Sequence, residues 1–195
     1  MIFAITDHPH AIGQWRTGIQ AHSVPYGGVK PTVQVMTKLA DQYAHSPEVR
    51  GVTEAVCRSI YAKDYLSEIA AIYYHNCNPQ NVRYIRDPAR VELVKAPPVV
   101  IRTKQADCDE MQSTQASEIK NRLRAPYLAG MMSNAGNVEV DAALAGYGGG
   151  GLTHTFARVR DPRGSGRMVV LDPVAGPLTP RMLRNIKEFK SGGFL

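Results

Sequence analysis

The chain has 195 residues, of which 44% are hydrophobic and 21% charged, with a formal net charge of +6 and a pI near 9.3. This composition fits one soluble globular domain with an attached arm, and no run of about 18 apolar residues argues for a membrane span. The N-terminus lacks a basic stretch followed by an apolar one, and three cysteines cannot all pair within one chain, so free thiols and a cytoplasmic setting are expected.

The positive excess is spread over Arg83, Arg86, Arg90, Arg102, Arg158, Arg160 and Arg163. No basic run interleaved with aromatics and no zinc-finger spacing occurs, which argues against direct nucleic-acid binding.

Residues 1–30 show no clear period and read as an extended N-terminal arm. "KPTVQVMTKLADQYAHS" then puts Val33, Met36, Leu39, Ala40 and Tyr43 on one helical face, with Thr32 as a cap. Ser46 and Pro47 open a second helix, expected to run as one long element to Cys77 with Cys57 as a small buried hydrophobe. His75 and Cys77 resemble half a metal site, but no second ligand pair of suitable spacing accompanies them, and no metal or cofactor is expected. "NVRYIRDPARVELVKAPPVVIRTK" is Pro-punctuated and reads as short strands or loops.

In "TKQADCDEMQ", Asp107 is a good N-cap, and Glu110 three residues later completes a capping-box pair. Cys108 is then the first helical residue. "YLAGMMSNAGN" predicts an apolar helix ending near Gly136, "VEVDAALAG" a strand, and "GYGGGG" a loop without the Lys-Ser or Lys-Thr of a phosphate loop. "LTHTFARVR" and "RMVVLDPV" are strands joined by "DPRGSG". Helices followed by an antiparallel meander define an α+β domain.

A cysteine opening a helix meets unpaired N–H groups and partial positive charge, which favour the thiolate. An imidazole must carry its proton, and a carboxylate must hold that imidazole in one tautomer. His154 lies near the start of one strand and Asp172 at the end of the next; pairing those strands brings the two together. A helix packed on the sheet would carry Cys108 to the same corner. Gln105 is a possible side-chain donor to an oxyanion, beside the backbone N–H of Cys108.

"ADCDE", "HTFARV" and "VVLDPV", in that order, resemble the transglutaminase-like superfamily of papain-type cysteine enzymes. "VRYIRDPARVELVKAP" and the preceding helical segment are similar to its bacteriophage and prophage subgroup, and the resemblance spans roughly residues 27 to 176. It implies a papain-like core over residues 31–176, between the arm and a basic tail at 177–195. Cys108 would be the nucleophile, His154 the general base and Asp172 the orienting carboxylate. The implied activity is that of a cysteine hydrolase, a protease or amidase working through an acyl-thioester on a protein or peptide amide. The implied setting is a bacterial host cytoplasm or a virion, with other virion proteins as partners.

Two residues depart from the family pattern. Ala106 stands for its Gly and Glu110 for its second Asp. In addition, "QSTQASEIKNRLRAP", residues 112–126, is polar where an apolar helix is expected, and reads as an insertion forming a flap. That insertion favours the alternative, a structural head or tail component keeping the fold with little or no turnover.

Overall fold

The structure, a computed structural model, describes residues 12–14, 20–24, 29–61, 64–88, 92–123, 140–147, 154–160, 168–174 and 186–191. Among them helix and strand are mixed. Two short strands, β1 (Ile12–Gln14) and β2 (Gln20–Ser23), precede three helices, α1 (Val29–Tyr43), α2 (Pro47–Val56) and α3 (Tyr65–Cys77). Then follow β3 (Arg83–Tyr84), β4 (Leu93–Lys95), α4 (Pro97–Thr103), β5 (Gln105–Ala106) and α5 (Cys108–Leu123). The last elements are the strands β6 (Val140–Tyr147), β7 (His154–Arg160), β8 (Met168–Leu171) and β9 (Ile186–Ser191). The helix expected over "YLAGMMSNAGN" lies outside the described residues.

The α1 stripe packs as its spacing predicts: Val33, Met36, Leu39 and Ala40 are buried. Thr32, however, lies inside the helix, which begins at Val29, and so is not its cap. Ser46 does cap α2, accepting from the Val49 N–H at 3.3 Å, with Pro47 in the first turn. The single long helix expected up to Cys77 is divided. Cys57 ends α2, and Asp64 starts α3 afresh by accepting from the Ser67 N–H at 3.2 Å and its hydroxyl at 2.6 Å. An Asp that finds backbone partners of this kind favours a cap over a helix interior.

Helix α4 replaces the strand or loop expected after Ala96. Pro97 and Pro98 fill its first positions, where missing N–H groups cost nothing. It ends on Lys104, whose φ of 56° and ψ of 31° are left-handed, and whose N–H bonds Val100 O at 2.7 Å. This reversal delivers the chain into β5, which pairs in parallel with β3 in the register Arg83↔Gln105 and Tyr84↔Ala106.

Two further sheets are antiparallel. β4 pairs with β2, which pairs with β1. The larger sheet runs β8-β7-β6-β9, so the meander expected from sequence gains a strand from the basic tail. The "LTHTFARVR" and "RMVVLDPV" strands pair as expected, with Ala157 opposite Leu171 and Arg160 opposite Met168.

α5 is the hub, packed against α1, α2, α3, α4 and β7. Its apolar contribution is small. Ala116 and Ile119 join Ala40, Cys57, Ile69, Ile72, Tyr73, Ala157, Val159 and Leu171 in one cluster, and Met111 joins Val82, Val100 and Ala106 in another. The rest of its buried surface is polar. Gln112, Ser113, Thr114, Gln115, Ser117 and Glu118 are each no more than 1% exposed. The stretch read as an inserted flap is, over residues 112–123, the continuation of the Cys108 helix through the core.

That polar surface lasts because much of it closes hydrogen bonds that neighbours leave open. Ser117 Oγ donates to Ala40 O at 3.0 Å, and Asn121 Nδ2 to Ala44 O at 2.6 Å, satisfying carbonyls near the C-terminus of α1. Thr53 Oγ1 donates to Asn121 Oδ1 at 2.8 Å, and Asn76 Nδ2 to Glu118 Oε2 at 2.6 Å. Arg122 is held by Glu68 at 2.6 Å. Among the described residues, no helix is long and apolar enough to cross a membrane.

Candidate active site

The start of α5 is built from a reciprocal cap. The Glu110 N–H donates to Asp107 Oδ1 at 3.4 Å, and the Asp107 N–H donates to Glu110 Oε2 at 3.1 Å. The expected capping box is therefore formed, and Cys108 is the first helical residue. Lys95 on β4 reaches the same carboxylate, with Nζ 2.7 Å from both oxygens and its backbone N–H 3.0 Å from Oε1. The N–H groups of Cys108 and Asp109, in the first turn, have no intrahelical acceptor.

Three acids around one thiol would repel a thiolate if all were ionised. Their surroundings remove part of that charge. Burial, then the hydrogen bond and charge of Asp107, pushes the Asp109 carboxyl well up and favours its neutral form. Burial and the charge of Asp107 also raise Glu110, to about 7, against the pull of Lys95. The formal acidity of "DCDE" thus overstates the negative field at Cys108.

His154 is the first residue of β7, and Asp172 follows the last residue of β8. His154 Nε2 lies 2.8 Å from Asp172 Oδ2, and the second carboxylate oxygen accepts from the Val174 N–H at 3.1 Å, closing a turn over Pro173. Cys108 is close enough to His154 to help raise its imidazole. Of the three side chains expected to meet, His154 and Asp172 are hydrogen-bonded, and Cys108 opens the helix packed against the strand that carries His154. Burial pulls the imidazolium down, but the hydrogen bonds and charges of Asp172 and Cys108 outweigh it and raise His154 to about 9.

Two residues not singled out in the sequence hold Asp172 in place. Gln115, two turns along α5 from Cys108, donates from Nε2 to Leu171 O at 3.1 Å. The Tyr73 hydroxyl on α3 donates to Asp172 O at 3.3 Å. The carbonyls on either side of the Leu171–Asp172 bond are thus fastened to two helices, one of which carries Cys108. Helical spacing from Cys108 was the available signal for Gln115, and reading the segment as an insertion hid it.

Gln105 lies on β5, exposed and paired with Arg83, and among the described residues no hydrogen bond joins its side chain to the site. His75 Nδ1 lies 3.1 Å from Asn81 Nδ2, tying the end of α3 to the following turn. Burial pushes Cys57 up to about 11, helped by Glu68, and burial likewise raises Cys77, so both thiols are held in their unreactive form.

No family model, curated protein or solved structure matches this chain.

Proposed function

We propose that this protein is a cysteine hydrolase with a papain-like, transglutaminase-like core, cleaving an amide of a protein or peptide through an acyl-thioester on Cys108. The observation that carries this reading is the position of His154, hydrogen-bonded to the Asp172 carboxylate at 2.8 Å and raised further by the nearby Cys108.

In this mechanism His154 accepts the Cys108 proton, and the sulfur attacks the amide carbonyl. The oxyanion that forms meets the first-turn N–H groups of α5. The imidazolium, oriented by Asp172, returns its proton to the departing amine, leaving the thioester. Water, deprotonated by the same imidazole, attacks the thioester carbonyl, and the thiol leaves with the proton. The phage or prophage setting rests on the motif resemblance alone. The alternative of a head or tail component with little turnover drew on the supposed insertion, and the continuity of α5 removes that support.

Iodoacetamide labelling followed by peptide mass spectrometry tests the reading. Cys108 is expected to alkylate well ahead of Cys57 and Cys77 near neutral pH, and His154→Ala is expected to slow that reaction selectively. Uniform, sluggish labelling of all three thiols would overturn the proposal. With a protein or peptide substrate in hand, Cys108→Ala is expected to remove turnover while leaving the unfolding transition in place.

A further inference from the structure

One side chain near Cys108 has no part in the chemistry above. The Arg83 N–H donates to Lys104 O and the Ile85 N–H to Ala106 O, both at 2.8 Å, and these two bonds bracket Tyr84. They set Tyr84 level with Ala106, two residues before the thiol. Residues level with one another in a ladder send their side chains to one face. Gln105, the neighbour of Ala106 on β5, is turned to the other.

Ala106 is fully buried and packs with Val82, Val100 and Met111. Met111 lies three residues after Cys108 on α5, so the two are neighbours on the helix surface. Tyr84 therefore stands at the rim of the cluster that flanks Cys108. It is 45% exposed, open to a bound molecule, whereas Ala106 level with it is closed. Burial, then the charges of Cys108 and Asp107, pushes the Tyr84 hydroxyl up. The phenol is thus within electrostatic reach of the thiol, and it keeps its proton as a hydrogen-bond donor.

We infer that Tyr84 is a catalytic residue of the Cys108 site, donating its phenolic O–H to the substrate carbonyl oxygen as that oxygen becomes an oxyanion. When the sulfur bonds to the carbonyl carbon, the electron pair displaced onto oxygen meets the phenol and the first-turn N–H groups of α5. The phenol gives up no proton. The pair returns to the carbon as the leaving group departs, and the hydrogen bond weakens again. Donation to the charged oxygen is stronger than donation to the ground-state carbonyl, so it lowers the barrier rather than merely tightening binding. This inference rests on Cys108 being the reactive thiol, and it supplies that same site with the side-chain donor that Gln105 does not provide.

The test compares two reagents on the wild-type protein and Tyr84→Phe, which keeps the ring and removes the hydroxyl. p-Nitrophenyl acetate is attacked at its carbonyl: a C–S bond forms, the C–O bond to p-nitrophenolate breaks, and Cys108 is left acetylated. Iodoacetamide is attacked at a saturated carbon and forms no oxyanion. Peptide mass spectrometry reads both products at Cys108. Acetylation is expected to slow about tenfold or more in Tyr84→Phe, toward the range for loss of one oxyanion donor. Alkylation of the same variant is expected to keep the wild-type rate, which also reports an intact site. Unchanged acetylation, equal slowing with both reagents, or a wild-type Cys108 that alkylates but is not acetylated would overturn the role of Tyr84 and leave the reactive thiol standing. Failure of iodoacetamide to select Cys108 over Cys57 and Cys77 would remove both.

Discussion

At the residue scale, the Cys108–His154–Asp172 arrangement depends on groups that never touch a substrate. Gln115 ties the helix bearing Cys108 to the carbonyl preceding Asp172, so one side chain links the two segments. Gln115→Leu keeps most of the volume but leaves a buried carbonyl without that donor, at a cost of about 1–2 kcal/mol. Urea unfolding is expected to show the loss, together with slower Cys108 alkylation. An unchanged midpoint and rate would mean that the bond contributes nothing. The placement of Cys108, His154 and Asp172 was legible in sequence because each sits at an element terminus marked by local chemistry: a capping pair, the start of a strand, an Asp-Pro turn. Gln115 was not, since nothing local says which distant carbonyl an amide will find.

At the element scale, the same contrast separates the helices. The α2 cap and the α1 stripe follow from nearest neighbours in sequence, and both are present. α4 escaped because a Pro-Pro pair followed by β-branched residues looks extended until the prolines are placed in the first turn. α5 escaped because its burial is set by the elements packed around it rather than by its composition. Its polar face answers carbonyls of α1, a carbonyl of β8 and the amide of Asn76.

Glu118 shows what that arrangement costs. Full burial pushes its carboxyl up to about 8, with the Asn76 bond pulling the other way. An acid whose folded pKa exceeds its unfolded value keeps its proton as the unfolded chain loses one, so it removes stability as pH rises from about 4.5 toward 8. Glu118→Gln preserves the acceptor for Asn76 and deletes the ionisation. The variant is expected to match the wild type near pH 5 and exceed it at pH 8 by up to roughly 4 kcal/mol. Parallel pH dependences in urea unfolding would exclude this account.

At the scale of the whole molecule, the shifts of the buried and half-buried carboxyls among the described residues share a sign, while the exposed Asp64 is lowered by its bonds to Ser67. Asp87, Glu92, Asp109, Glu110 and Glu118 are all raised, chiefly by burial, and each loses stability as pH climbs above the carboxylate range. His154 is raised to about 9, so its contribution is complete below about 6.5 and fades as pH passes through 9. Burial lowers His75, which acts in the opposite sense. The fold thus holds more protons than the unfolded chain across this interval. Thermal melts are expected to give their highest midpoint near pH 5 and to fall steadily through pH 7 and 9. A maximum near the pI of 9.3 would contradict the assignment. Under the proposed mechanism, Cys108 chemistry that needs His154 charged is expected to decline as pH rises through 9.

The order β8-β7-β6-β9 leaves the strand that precedes Asp172 at the margin of its sheet, joined to β7 through only four residue pairs among the described residues. The histidine, by contrast, sits on an interior strand flanked on both sides. On that margin the carboxylate is kept in place less by strand pairing than by the bonds from Gln115 and Tyr73, so its position follows the helical core. The short ribbon at the sheet's margin thus borrows its order from the helices, and loosening of those two side-chain anchors would release the acid from the imidazole.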